Sequence, residues 1–481
     1  MLFKMYIDGN WQEGNGEKKD VISPVSGDVI GQLCTGTPED VDLAAKAAKR
    51  ALYQLEHMTV FERADMMMRI SAAIMNRQEE LAKLLTNEHG KPLADAMGEV
   101  AGSAGAFREC AEQIKWMDGT IIPLREANKR CLVFNKPIGV FGIITPWNYP
   151  LGTASMYYLA PGLAAGCPMV WNPATSTAAV ASAFMKCFED AKLPAGFISL
   201  VIGSGTVVGD ALSVHPLIAG IGFTGSTEVG NIICSRAKAK HTQMELGGNG
   251  PAIVLKDADI DLAAEKIMGG AFPNAGQICT ATGRVLVDDA VADKLVEAMM
   301  SKIEIYKLGN PFDSDTTIGP MHSKGTIDIA LEHIEKGLET GAKLITGGGR
   351  QADSPTEHYI MPTIMDYVSP QSLLNTDETF GPVVPLIRFK NEKDIKGLVE
   401  MSPYRLFSAI FTQNIDKAMV MTEEYNFGAC HINEGSNMWD TMMPAGGGGG
   451  SASGFGRSGG KYSIKDFSET RTVLVNLQTK L

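Results

Sequence analysis

The first third of the chain carries helical periodicity. Thr37-Pro38-Glu39-Asp40 sets a capping hydroxyl, then a proline at the first helical position, then two acids at the positive helix end. An apolar stripe at helical spacing runs over about residues 65–87, and Gly90 and Pro92 stop it. From Gly139 the texture changes to short apolar runs alternating with helical stretches. Residues 140–144, 169–171, 198–202 and 218–223 read as buried strands, with helices predicted notably over 177–191 and 225–240. Units of this length imply an α/β fold with parallel strands joined by right-handed crossovers. A second alternating region runs from near Ala252 to about Asn433, with helices predicted over 290–306 and 325–340. The five glycines at 446–450 cannot hold a regular element and read as a loop. Residues 470–477 alternate loosely and suit an exposed strand in need of a partner edge.

Composition narrows the class. A chain of 481 residues exceeds one ordinary core, so two or three structural units are expected. The formal net charge of −12 argues against a nucleic-acid or anionic-membrane partner. Apolar runs are broken well before bilayer-spanning length, and the N-terminal stretch lacks the apolar core of a secretion signal, so a cytoplasmic enzyme is expected. The eight cysteines (34, 110, 131, 167, 187, 234, 279 and 430) form no CxxC pair and have no histidine neighbours at metal spacing. Neither a disulfide framework nor a bound metal is expected, and a single catalytic cysteine becomes open to consideration.

Four segments carry candidate chemistry. Phe223-Thr224-Gly225-Ser226-Thr227-Glu228-Val229-Gly230 reads as a strand end, a glycine turn and a helix start. Free backbone N–H groups at such a start suit a phosphate, although a bland tight turn has the same pattern. Cys279 lies in Asn274-Ala275-Gly276-Gln277-Ile278-Cys279-Thr280, a small-residue turn whose N–H groups would stabilise a thiolate or an oxyanion. An arbitrary cysteine is more often an inert core thiol. Glu245, before Gly247 and Gly248, has the freedom of a general base or of a plain surface acid. Asn148 in Pro146-Trp147-Asn148-Tyr149-Pro150 would donate to an oxyanion or hold a turn.

Together with Glu378-Thr379-Phe380-Gly381-Pro382, these segments resemble the aldehyde dehydrogenase superfamily in order and spacing. The resemblance extends from Tyr6-Ile7-Asp8-Gly9 to Gly454-Phe455-Gly456-Arg457. It implies oxidation of a small-molecule aldehyde to a carboxylate with NAD or NADP. Cys279 would be the nucleophile, Asn148 and the Cys279 N–H the oxyanion donors, and Glu245 the base for deacylation. Glu378 and Phe380 would position the nicotinamide ribose and ring, and Gly225 with Ser226 the pyrophosphate. Thr145, Pro146, Trp147, Asn172 and Thr175 complete the expected cofactor contacts. Tyr149, Met156, Ile278, Thr280 and Trp439 would line the substrate pocket. The implied layout is a Rossmann-like α/β cofactor domain (about 1–117 and 138–247), an α/β catalytic domain (248–446), and a small β oligomerisation element with the C-terminal tail (118–137 and 447–481), in a homodimer or homotetramer.

Several positions depart from the family pattern. Asn172 and Thr175 stand where a lysine and, soon after, a glutamate usually bind the adenosine ribose. Loss of the acid relieves repulsion of a 2′-phosphate and loss of the lysine weakens its attraction, leaving a slight lean to NADP. Tyr157 and Ser458 stand where a lysine and a glutamate form a proton relay in parts of the family. The glycine loop lacks its usual lysine. Met156 offers no anchor for an acidic aldehyde. A coenzyme-A-acylating enzyme would normally lack Glu245, and a silent structural protein on this scaffold would have no need of Cys279, Glu245, Asn148, Glu378 and Phe380 together.

Overall fold

The apolar runs of the middle region are hydrophobic on both faces, so each needs cover from both sides. In the computed structural model, which describes residues 1–478, they form the parallel centre of an eight-stranded sheet. Its central order is Ile198–Leu200, Met169–Pro173, Phe141–Thr145, Gly220–Thr224 and His241–Glu245. The chain moves outward from Phe141–Thr145 through two strands, then returns to lay Gly220–Thr224 on its other side. That reversal opens a crevice beyond Thr145 and Thr224, where open α/β sheets receive ligands.

Helices cover this sheet. Pro38–His57 begins as the sequence predicts, with the Thr37 N–H donating to Asp40 Oδ2 at 2.9 Å. The single stripe expected over 65–87 is instead two helices, Val60–Asn76 and Gln78–His89, which break at Arg77. No glycine or proline marks the break. The Arg77 guanidinium is held by Asp190 and Glu80, and both helices pack onto Leu93–Gln113 and Ala178–Asp190. Tertiary contact has overridden a continuous local pattern.

The second region builds a seven-stranded sheet, parallel except for its edge strand Lys343–Thr346. The helix predicted over 290–306 stops at Met300, and a separate 3₁₀ turn follows at Ile303–Ile305. Tyr306 is drawn instead onto Phe272, ring centroids 4.9 Å apart. The tail strand Ser468–Asn476 finds its partner within the chain, pairing antiparallel along Lys129–Pro137. Residues after 447 also serve the rest of the fold. Gly454–Phe455 joins the edge of the first sheet beside Glu245, and Gly460–Asp466 packs on Ala160–Ala165.

The two large sheets are consecutive in the chain: His241–Glu245 ends the parallel core of the first and Gly250–Val254 begins the second. The carboxyl edge of one therefore faces the amino edge of the other. Among the described residues no helix is long and apolar enough to cross a membrane.

Candidate active site

A cavity of about 700 Å³ lies at this junction. The first sheet's strand ends contribute Pro146, Trp147, Asn148, Gly225 and Ser226 to its wall. The turn before Thr282–Asp288 contributes Ile278, Cys279 and Thr280, and Glu378 and Phe380 enter from a third segment. Tyr149, Met156, Tyr157 and Trp439 also line it. Four residues expected at the site do not reach this wall: Glu245, Thr145, Asn172 and Thr175.

The cysteine turn is held in a conformation that few residues adopt unaided. Asn274, Ala275 and Gly276 have consecutive φ values of 54°, 54° and 73°. Left-handed non-glycine residues cost about 1–3 kcal/mol each and persist only where surroundings over-determine them. Here the Gln277 amide donates to Asn274 O at 2.8 Å and accepts from the His322 N–H at 2.9 Å. A Cβ on Gly276 would stand 2.1 Å from Gly381 O, so the close backbone approach also requires glycine.

Burial pushes the Cys279 thiol up to about 12, and the carboxylates of Glu378 and Glu245 add to the rise. Backbone N–H groups of Cys279 and Thr280 oppose it. The resting thiol is therefore protonated at neutral pH, with two donors already present for a negative sulfur or oxygen.

Asn148 is buried and its Nδ2 donates to Gln277 O at 2.9 Å, tying the first-sheet loop to the cysteine turn. Its backbone is held by a group the sequence analysis missed. Lys91 Nζ donates to Asn148 O at 2.9 Å and to Glu99 Oε2 at 2.5 Å, and lies 3.9 Å from the Tyr149 ring centroid. Glu99 Oε1 accepts the N–H groups of Leu151 and Gly152, each at 2.9 Å. Both side chains of the pair are 1% exposed. In the sequence, Gly90 and Pro92 signalled only a helix stop, and nothing local marked Lys91 between them.

Glu245 is buried behind the cavity wall, while its neighbours Leu246 and Thr224 line it. Its Oε1 accepts the Ser458 hydroxyl at 3.1 Å, and Ser458 Oγ accepts Gln243 Nε2 at 2.9 Å. Burial pushes the Glu245 carboxyl up to about 8, against the Ser458 hydrogen bond and the charge of Arg457.

The expected cofactor residues divide. Ser226 caps Thr227–Ala237, accepting the Val229 N–H at 3.3 Å. The first turn keeps further N–H groups without helical partners. A Cβ on Gly225 would meet the Phe223 ring at 2.4 Å, so a side chain here would have to displace that ring. Glu378 Oε1 accepts the Gly248 N–H at 2.9 Å, and burial pushes its carboxyl up to about 7. Phe380 sits edge-on to Trp147 at 5.6 Å. A helix-start turn of the kind that suits a phosphate, lining the same cavity as a carboxylate and an aromatic ring, fits a nicotinamide dinucleotide.

By contrast, Asn172 does not offer the free donor expected of it. It is 1% exposed, and its Nδ2 is committed to the carbonyls of Val201 and Gly203 at 3.1 and 3.0 Å. Thr145 is likewise turned into the core, where its Oγ1 accepts Trp171 Nε1 at 2.8 Å. Thr175 stays half-buried on the turn after Met169–Pro173. Among the described residues no cluster of three or more histidine, cysteine or acidic groups is arranged to hold a metal.

The fold and site define a two-sheet α/β enzyme in which a thiol and a carboxylate meet at the junction of the sheets. The profile of the Aldehyde dehydrogenase family matches residues 11–473, and the chain belongs to that family. It is similar to the 3-sulfolactaldehyde dehydrogenase of Pseudomonas putida, 37% identical over 97% of this chain and 96% of the relative. It is similar also to the lactaldehyde dehydrogenase of Methanocaldococcus jannaschii, 35% identical over 98% of this chain and the whole of the relative. The solved structure of an E. coli NADP-dependent enzyme superposes with a TM-score of 0.96 at 35% identity, covering 99% of this chain and 98% of its own.

Removing the Lys91 ammonium alone strands the Glu99 charge in the core. Lys91→Met is therefore expected to cost about 3–5 kcal/mol of stability, and Lys91→Met combined with Glu99→Gln much less. Denaturant unfolding of the parent and both variants checks this; equal losses would show that Lys91 does not compensate Glu99.

Proposed function

We propose that this chain oxidises an aldehyde to a carboxylate with NAD(P)⁺ through a thioester on Cys279. The observation that supports it best is the meeting of Cys279 and Asn148 on one cavity wall, with the Glu245 strand end beside them. The Cys279 thiol gives up its proton to solvent, its sulfur adds to the aldehyde carbon, and Asn148 Nδ2 with the Cys279 N–H holds the oxyanion. Asn148 must then exchange its hydrogen bond to Gln277 O for one to the substrate. When bound, the oxidised dinucleotide supplies the hydride acceptor. Loss of hydride from the carbon leaves a thioester on Cys279. Glu245 swings from Ser458 toward the cavity and takes a proton from water, whose oxygen attacks the thioester and frees the acid.

The cavity wall carries the acids Asp95, Glu99 and Glu378 but, among the described residues, no lysine, arginine or histidine. An anionic aldehyde would be desolvated there without a partner. The substrate is therefore a neutral aldehyde, as the Met156 position suggests, although relatives' names include a sulfonated one alongside lactaldehyde. Thr175 leaves no acid to repel a 2′-phosphate, which retains the lean to NADP without help from Asn172. We read the active species as a cytoplasmic homodimer or homotetramer, since the outer edge of Ser468–Asn476 is unpaired among the described residues. Light scattering reads that state directly.

Three expectations follow for kinetics. Cys279→Ser is expected to abolish turnover, and Glu245→Gln to give a full burst of reduced cofactor and then a steady state at least about 100-fold slower. Rapid mixing, with mass detection of the acyl adduct, separates the steps; loss of the burst in Glu245→Gln would move that residue to an earlier step. The second concerns pH. With Glu245 near 8, the basic form that activates water grows as pH rises through that value. Ser458→Ala removes a hydrogen bond that lowers this pKa, so the rise in steady-state rate moves to higher pH. A rate–pH profile unmoved by Ser458→Ala would detach Glu245 from that limb. The third is specificity, read as kcat/KM: neutral aldehydes are expected to exceed carboxylate-bearing ones of equal length, and Thr175→Glu to penalise NADP more than NAD. An unchanged cofactor ratio would exclude Thr175 from the phosphate site.

A further inference from the structure

Between Pro150–Thr153 and Ala160–Ala165 the chain makes a π-helical turn, Ala154–Leu159. Such a turn accommodates one residue more than an α-helical one and re-aims the side chains it carries. The three consecutive residues here part in different directions. Met156 lies over Leu93–Gln113, its Cε 2.8 Å from where a Cβ on Gly102 would stand. Tyr158 is fully buried and shares a 2.6 Å hydrogen bond with Thr224 Oγ1. Thr224 is in turn paired in register with Glu245. Tyr157, between them, stays half-buried in the cavity wall and packs edge-on against Trp439, ring centroids 5.7 Å apart.

Tyr157 shares the cavity wall with Cys279, and its neighbour Tyr158 is bonded to Thr224, the residue paired with Glu245. Burial raises its phenol well above the ordinary value, and negative charge on Cys279 and on Glu245 raises it further. The phenol therefore keeps its proton at any working pH. Among the described residues its hydroxyl has no hydrogen-bond partner, whereas that of Tyr158 is engaged by Thr224. A protonated, uncommitted donor thus stands in the cavity wall that also carries Cys279, on a turn that fixes its ring. Ser458, the other group near the base, is already committed to Glu245.

We propose that the Tyr157 hydroxyl holds the deacylating water, donating to its oxygen while the water donates to Glu245. This rests on the thioester reading of Cys279. One lone pair of the water takes the Tyr157 hydrogen bond and the other is aimed at the thioester carbon. As the C–O bond forms, the water proton passes to Glu245 and the C–S bond breaks. Glu245 then returns that proton to the Cys279 sulfur, and the phenol ends as it began. The π turn is thereby a device that supplies a neutral donor beside the base.

The test is Tyr157→Phe, which removes the hydroxyl and keeps the ring on Trp439. The burst of reduced cofactor should keep its rate and amplitude, while the steady-state rate falls about 10- to 100-fold, the scale of one hydrogen bond in a charged transition state. The acyl adduct on Cys279 should accumulate in the mass spectrum. Because kcat/KM counts only steps through acylation, it should stay unchanged while kcat and KM fall together. A cofactor-free readout uses p-nitrophenyl acetate: the rapid release of nitrophenolate should persist and the slow hydrolytic phase should weaken. Deacylation at the parent rate overturns the proposal. So does a raised aldehyde KM with a slowed burst, which would make Tyr157 a substrate contact. If the parent itself yields no adduct, the thioester reading fails, a result distinct from either.

Discussion

The site depends on the short link between the two large sheets, residues 246–249, which joins Glu245 to Gly250. The five Cα–Cα steps from Glu245 to Gly250 across these four residues reach roughly 18 Å at most, so the carboxyl edge of one sheet cannot stray from the amino edge of the other. Two of the four are glycines for a steric reason. A Cβ on Gly248 would stand 2.0 Å from Cys279 O, and one on Gly247 would stand 2.7 Å from Glu378 Oε2. The Cys279 turn and the Glu378 carboxylate therefore press directly on the link whose first neighbour is Glu245. Moving any one of these three groups moves the others.

The same crowding sets the electrostatics. Cys279 near 12, Glu245 near 8 and Glu378 near 7 are all raised first by burial, with little cationic charge at hand to offset it. Positive charge brought into the cleft favours the thiolate and both carboxylates together. The Lys91–Glu99 pair is built on the opposite plan. Its charges are matched, and its further hydrogen bonds orient Asn148, Leu151 and Gly152. Compensated charge positions the backbone here, whereas among the described residues the three raised groups have no such partner cation.

Departures from the family pattern acquire physical meaning only in the fold. Asn172 does not replace a cofactor-binding lysine with a weaker donor; its amide closes a gap between strand ends by bonding Val201 and Gly203. Ser458 gives Glu245 a neutral hydroxyl and fastens it to Gln243. Tyr157 and Tyr158, adjacent in sequence, serve different sides of the π turn.

How much of this was legible followed from the range of the forces involved. The buried strands at 141–145, 169–173 and 220–224 could be read from the chain, because a run that is apolar on both faces has few alternatives to a covered sheet. The helix start at Thr37 and the glycine turn at Gly225 were equally legible, being decided by atoms a few bonds apart. Cys279, Glu245 and Asn148 were visible as motifs, although no local feature brings them together. The break at Arg77, the Lys91–Asn148 contact across 57 residues and the Asn148–Gln277 bond across 129 were decided by the tertiary structure. Each balances the desolvation of a polar group against a partner distant in the chain. Periodicity along a sequence records only which side of an element is buried. What meets it there is settled when the sheets and helices close on one another.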